Sequence, residues 1–369
     1  MIQPSPKQAA ERELVVVPVT GPEWVRCEAE LAGPTDTRSL PQRFAWADAF
    51  EGRESFFLAA RDGAGVCRGG VAVAVSRSRA LPGHRLFRVP RCVPAGECGV
   101  LEPVFAALAA LAGLARQNPR VLRANVELFS PDAARRADAG RRLAALGFRP
   151  AREQRNYRHT LSVDLRPPED AIFAGLHRRA RRAVRAVEKK ELELRPVTDP
   201  ALSGRMEEIR RATYDRLGGR FVPRDWGAVM TFSRRHPEWS RLVGLFAAGS
   251  SAPGALLAYT WGLHHTDHAE YFIGAAARDA EVKCPLMYGL MWDLIRWAKR
   301  HGATWFDLGG ITAGTFGDPD DVLGGVSDFK RTFSTTQVHV CDEWEYEPHP
   351  WRAALAHAIG RVARRFARH

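Results

Sequence analysis

The chain has 369 residues, 45% hydrophobic and 26% charged, with 54 Lys and Arg against 42 Asp and Glu for a formal net charge of +12. That composition excludes a disordered chain, the length suits two domains of ordinary size, and no run of 18 apolar residues is present to form a membrane-crossing helix. The excess of positive charge favours an anionic partner such as nucleic acid, a phosphorylated substrate or a membrane surface, although a GC-rich genome also yields arginine. The start, MIQPSPKQAAEREL, lacks the apolar core of a signal peptide. Cys27, Cys67, Cys92, Cys98, Cys284 and Cys341 make no CxxC pair, so free thiols in a cytoplasmic protein are expected.

In chain order, residues 13–19 (ELVVVPV) predict a strand and Pro22–Ala32 a helix, and LPQRFAWADAFEGR (40–53) has a helical pattern. Residues 55–81 predict two strands around a turn at Gly63 and Gly65. Glu102–Arg116 predicts a helix, RVLRANVELFS a strand, and PDAARRADAGRRLAALGF a helix capped by Gly147. NYRHTLSVDL predicts the strand that closes a first domain before Pro167 and Pro168.

The order then begins again. Glu169–Glu191 predicts one helix and ELELRPV a strand, with helices over Ser203–Leu217 and Pro223–His236. RLVGLFAA, GALLAYTWGL and HAEYFIGA predict three strands, Pro285–His301 a helix and ATWFDLGG a strand. TTQVHVCDEW predicts one more strand and Trp351–His369 a basic helix. The repeated order predicts two similar α/β (α+β) domains over 1–166 and 167–334, with 335–369 returning to the first.

Six lysines occur, at Lys7, Lys189, Lys190, Lys283, Lys299 and Lys330, and the other 48 basic residues are Arg. Where this chain needs only positive charge it uses Arg, so Lys330 in SDFKRTFS points to a site that needs a compact ammonium. WFDLGGI (305–311) followed by SDFKRTFS (327–334) and VHVCDEWEYEPHP (338–350) resembles the FemABX family of aminoacyl-tRNA-dependent peptidyltransferases, built of two GNAT acyltransferase domains. CPLMYGLMWDLIRWAKRHGA (284–303) resembles the family's helix before the Asp-Leu-Gly-Gly strand. HRRARRAVRAVEKKELELRP (177–196) resembles its basic helix, and LPQRFAWADAF (40–50) a first-domain segment. The match is specific over about 250–333 and thin before 170.

The resemblance implies two GNAT-like domains in tandem and an amide-forming transfer from aminoacyl-tRNA to an amine, with no metal and no resident cofactor. It implies that Lys330 stabilises developing negative charge and that Phe329 supports it. It assigns acceptor contacts to Arg241 and Tyr271, and Gly309 and Gly310 would let the backbone approach substrate closely. The helix over 177–190 carries seven Arg and Lys and one Glu. Its face of Arg178, Arg179, Arg181, Arg182, Arg185 and Lys189 suits tRNA phosphates or is simply solvated.

Two departures bear on the acceptor. Asp48 stands where precursor-binding members carry Lys, and Ile273 replaces a second tyrosine. Both remove groups suited to a pyrophosphate, which favours a small molecule or natural-product intermediate over a peptidoglycan precursor extended into an interpeptide bridge. An acyl-CoA-dependent N-acyltransferase is the main rival. In it Arg-x-x-Gly-x-Gly would cradle pyrophosphate, but from Arg278 the glycine positions are Glu281 and Lys283. Lys283 is read instead as a tRNA or acceptor contact. His264, His265 and His268 have the spacing of a turn and lack an acidic or Cys partner at metal-ligand spacing. Asp307 reads as a base or, in preference, as a residue that fixes its loop by hydrogen bonds, and GDPDDVLGG does not match a calcium loop.

Overall fold

The computed structural model describes residues 14–32, 38–52, 54–92, 101–217, 221–250, 252–278, 282, 284–312, 314–318 and 324–366. The chain begins with β1 (Val15–Val19), α1 (Gly21–Glu30) and the short α2 (Phe44–Trp46), which runs on as a π-helical turn over Ala47–Glu51. There follow β2 (Phe56–Arg61), β3 (Cys67–Arg77), β4 (Arg85–Cys92), α3 (Leu101–Gln117), β5 (Val121–Phe129), α4 (Ala133–Ala145) and β6 (Arg149–Pro150). Next come β7 (His159–Asp164), α5 (Glu169–Gly175), α6 (Arg178–Glu188), β8 (Leu192–Pro196), α7 (Ser203–Leu217), α8 (Trp226–Arg235), β9 (Ser240–Ala247), β10 (Leu256–His264) and β11 (His268–Ala276). The chain ends with α9 (Leu286–Arg300), β12 (Trp305–Gly310), α10 (Gly324–Arg331), β13 (Gln337–His339), β14 (Cys341–Tyr346) and α11 (Pro350–Phe366).

These elements form two units, one of residues 1–158 with 340–369 and one of residues 159–339. The first holds a seven-stranded sheet in the order β1-β2-β3-β4-β5-β14-β6 and the second one in the order β13-β7-β12-β11-β10-β9-β8. Most neighbours are antiparallel. Among the described residues each sheet has a single parallel pair, β4 with β5 and β11 with β12. A parallel pair needs a long crossover, which α3 and α9 supply.

Three expectations need correction. The strand 159–164 does not close the first unit. It lies between β12 and β13 in the second sheet, with Asp164 opposite Trp305 and Thr160 opposite Val338. TTQVHVCDEW is two strands, because the chain changes sheets at Val340: β13 pairs with β7, and β14 inserts between β5 and β6. Helix 169–191 is also two. Leu176 is extended (ψ 151°), His177 caps α6 through Nδ1 accepting from Arg179 N (3.2 Å), and Arg181 donates to the carbonyls of Leu176 (2.9 Å) and Ala174. The apolar stripe is as the sequence predicts, with Ile172, Leu176, Ala180, Val184 and Val187 all buried.

The core of the second unit joins that stripe to Leu290, Met291, Leu294 and Ile295 of α9 and to the inner faces of the strands. A side chain at Gly289 would bring a Cβ within 2.8 Å of Val187, so glycine sets how closely α6 and α9 pack. In the first unit α3 and α4 cover one sheet face, and Trp24 of α1 stacks on Phe57 of β2 at the other (5.3 Å between centroids). Gly147 has φ +85°, which fits the helix cap read from sequence.

Candidate active site

The site forms where the β11–β12 ladder stops. His268, Ala269 and Glu270 lie opposite Trp305, Phe306 and Asp307, and no further pair follows although both strands run on. Asp307, wholly buried, turns its carboxylate onto its own loop. Oδ1 accepts from Gly309 N at 2.7 Å and from the Thr160 hydroxyl. This is the loop-fixing role expected for Asp307. It holds Gly309 at φ +77°, where a Cβ would stand 3.2 Å from Tyr271 O and 3.3 Å from Lys330 Nζ.

Into that turn α10 delivers Lys330. Its side chain is buried, with Nζ donating to Gly310 O at 2.6 Å and lying 5.9 Å from the Tyr271 ring centroid. Burial lowers the ammonium pKa from the ordinary 10.5 to about 8, and the charge of Asp307 opposes part of the fall. Lys330 therefore stays largely cationic at neutral pH in a place that water solvates poorly. One of its three donors is spent on Gly310 O, leaving two for another acceptor.

The neighbours of Lys330 in the motif hold α10 in place. Phe329 meets Tyr288 edge-on (4.9 Å) and Phe333 (5.4 Å), which anchors the helix in the core. Asp328 accepts from Gly317 N (3.1 and 3.0 Å) and pairs with Arg331 (2.9 Å). Arg331 also donates to the carbonyls of Thr315 (3.1 Å) and Gly314, and Thr312 and Ser327 share a hydroxyl contact (3.0 Å). Four of the five residues in SDFKR thus clamp helix and loop, and Lys330 is the one aimed at the ladder's end.

The other expected residues divide. Tyr271 stands beside Lys330, its hydroxyl lying along its own strand over Gly274 and its pKa pushed up by burial. Arg241 shares a cross-strand row with Tyr271 through Gly262, but its guanidinium grips Asp293 of α9 in a bidentate pair of 2.6 and 2.9 Å. Arg178, Arg179, Arg182, Arg185 and Lys189 line the outward side of α6, whereas Arg181 is half-buried in the α5–α6 junction, where its guanidinium serves as a helix cap. Glu281 and Lys283 lie outside the described residues. His264, His265 and His268 flank a turn, with His265 and His268 buried and stacked at 4.5 Å, and among the described residues no cluster fit for a metal occurs. Thr160 and Tyr288 belong to the site and escaped the sequence reading, since neither lies in the motif they support.

Residues 175–331 match the family profile of the acetyltransferase (GNAT) domain. No curated protein matches the chain. Among solved structures, FemX superposes with a TM-score of 0.69 at 16% identity, covering 93% of this chain and 100% of its own. A tandem GNAT protein from the clavulanic acid biosynthesis pathway, solved without AcCoA, gives 0.51 at 17%, covering 92% and 99%. The C-terminal domain of a putative lysylphosphatidylglycerol synthetase from Agrobacterium fabrum gives 0.52 at 12%, covering 93% and 97%. The chain thus has the FemABX-like tandem GNAT fold, and the GNAT profile falls within its second unit.

Two measurements check this geometry. Arg241→Ala should destabilise the protein by about 3 kcal/mol by stranding buried Asp293, and Arg241→Leu with Asp293→Leu should restore most of it. Unchanged stability with a raised KM would instead make Arg241 a substrate contact. For Lys330 the folded pKa lies below the unfolded one, so between about pH 8 and 10.5 the unfolded chain binds more protons and stability rises with pH. Full relief of the buried charge amounts to about 3 kcal/mol. Denaturation of the wild type and Lys330→Met across pH 7 to 10 should therefore show the wild type gaining on the variant.

Proposed function

We propose that the protein is a tRNA-dependent aminoacyltransferase that joins an amino acid to an amine acceptor. The observation that carries this reading is the buried ammonium of Lys330, held by the Gly310 carbonyl at the end of the β11–β12 ladder. In the reaction, the neutral acceptor nitrogen attacks the ester carbonyl of aminoacyl-tRNA. The C–N bond forms and the carbonyl oxygen takes up the electron pair. As the carbonyl re-forms, the bond to the ribose oxygen breaks, and the proton lost from nitrogen ends on that oxygen.

Negative charge thus develops first on one oxygen and then on another, while the ground-state ester is neutral. A fixed cation with little surrounding water stabilises those charges far more than it stabilises the ester. Lys330 has the required burial and the spare donors. Phe329 acts through packing, fixing the turn of helix from which Lys330 projects. The outward cations of α6 are suited to the tRNA backbone, and the acceptor is a small-molecule or peptide amine.

A second reading has the acetyltransferase (GNAT) profile in its favour: the donor would be an acyl-CoA thioester and the leaving group a thiolate. A thiolate needs less help from a buried cation than a ribose alkoxide does, so Lys330 favours the ester. Incubation with bulk tRNA charged with labelled amino acids and a small-molecule extract should move label into a base-resistant product, and prior ribonuclease treatment should abolish its formation. Lys330→Ala should lower the rate roughly 10²–10³-fold. Label that stays on tRNA while acetyl-CoA is consumed would establish the second reading.

Two further outcomes are expected of the same assay. The rate should fall as pH rises through about 8, where Lys330 loses its proton, and Lys330→Arg, whose planar guanidinium does not fit the place of a compact ammonium, should be as slow as Lys330→Ala. Arg178→Glu with Arg182→Glu should weaken tRNA binding and flatten its dependence on salt, by roughly one unit of log–log slope for each phosphate left without its arginine.

A further inference from the structure

The feature that this reading leaves unused is the outer side of α11. The helix is tied to the first unit by its other side, where Ala353 is buried, His357 Nε2 meets Glu347 Oε1 at 3.1 Å, and Arg352 donates to Pro119 O. Trp351, Leu355 and Ile359 project away with 66, 47 and 37% of their surface exposed. They account for three of the nine large exposed hydrophobics among the described residues. A spacing of four residues stacks them as one stripe along the helix. Beyond Arg352, which is held at Pro119 O, the sequence to His369 carries Arg361, Arg364, Arg365 and Arg368, and from Pro350 on it has no carboxylate side chain.

Neither charge nor apolar area alone explains that combination. RNA would engage the arginines but would bury neither Leu355 nor Ile359. A symmetric contact with a second copy of the chain would bring two carboxylate-free, arginine-bearing helices together. An anionic bilayer satisfies both halves: its headgroups neutralise the arginines, its acyl boundary accepts the aliphatic side chains, and tryptophan favours the level between them. We propose that α11 lies in the interface of an anionic lipid membrane and docks the protein on it reversibly. The partner is the anionic bilayer surface itself, and the assignment does not depend on which acyl donor the second unit uses.

The test is flotation of the full-length protein with vesicles of phosphatidylglycerol and phosphatidylcholine, beside vesicles of phosphatidylcholine alone. Binding to the anionic vesicles should be strong and weakened by salt, and should drop roughly hundredfold in Leu355→Glu with Ile359→Glu. If that double variant fails to fold, Trp351→Ser, at the most exposed position, should still lose roughly tenfold. The proposal is overturned if the wild type does not float with anionic vesicles, or if it floats equally well after the stripe is removed. It is equally overturned if the variant changes only dimerisation, making a second copy the occupant, or only RNA binding.

Discussion

The centre of the second unit is one ammonium kept out of water. Lys330 sits where burial opposes its charge, and a single short bond to Gly310 O defines its position. That bond requires a backbone turn in which Gly309 takes the left-handed region with almost no room for a side chain, between Tyr271 O and the ammonium itself. The turn is held by Asp307, which accepts from Gly309 N, and by Thr160, which reaches the same carboxylate from β7. Each contact fixes the next, so the cation is placed by the sheet and not by its own flexible stem.

Such a site works against stability. A depressed lysine pKa means that the folded state would be more stable with the group neutral, and the charge persists because the surroundings are over-determined. This accounts for the density of polar contacts around α10. Asp328 and Arg331 tie the helix to the preceding loop on one side, and Phe329 with Phe333 packs it against Tyr288 on the other. A helix with less holding it could relieve the buried charge by swinging Lys330 into solvent.

How much of this was legible depended on distance along the chain. The motif was legible through its resemblance to the FemABX pattern, and the scarcity of lysine in a chain that uses arginine almost everywhere added a compositional hint. The packing stripe of α6, the three-strand meander and the glycine turn could all be read from local pattern. Thr160 could not, because it lies 147 residues before Asp307 and only the register of β7 against β12 unites them. Arg241 shows the opposite limit: its place on the strand is right, yet Asp293, 52 residues later, already occupies its guanidinium. β4, passed over in the sequence reading, and the change of sheet at Val340 also depend on pairing with strands far away in sequence.

The first unit repeats the architecture with different side chains at the corresponding place. Its parallel pair, β4 with β5, is also irregular, with the register shifting between Val89 and Cys92 and Arg91 at φ +39°. There the irregularity is filled by the protein itself. Glu127 accepts from Arg91 N at 3.1 Å, the Arg91 guanidinium donates to Tyr157 OH at 2.9 Å, and Ser39 donates to Arg91 O at 2.7 Å. Burial raises the Glu127 pKa, so even the acid at this place is driven toward its neutral form. Where the second unit holds a cation with donors to spare, the first has joined its donors and acceptors to one another. A shared fold supplies the interrupted ladder in both units, and the units differ in what the side chains leave unsatisfied there.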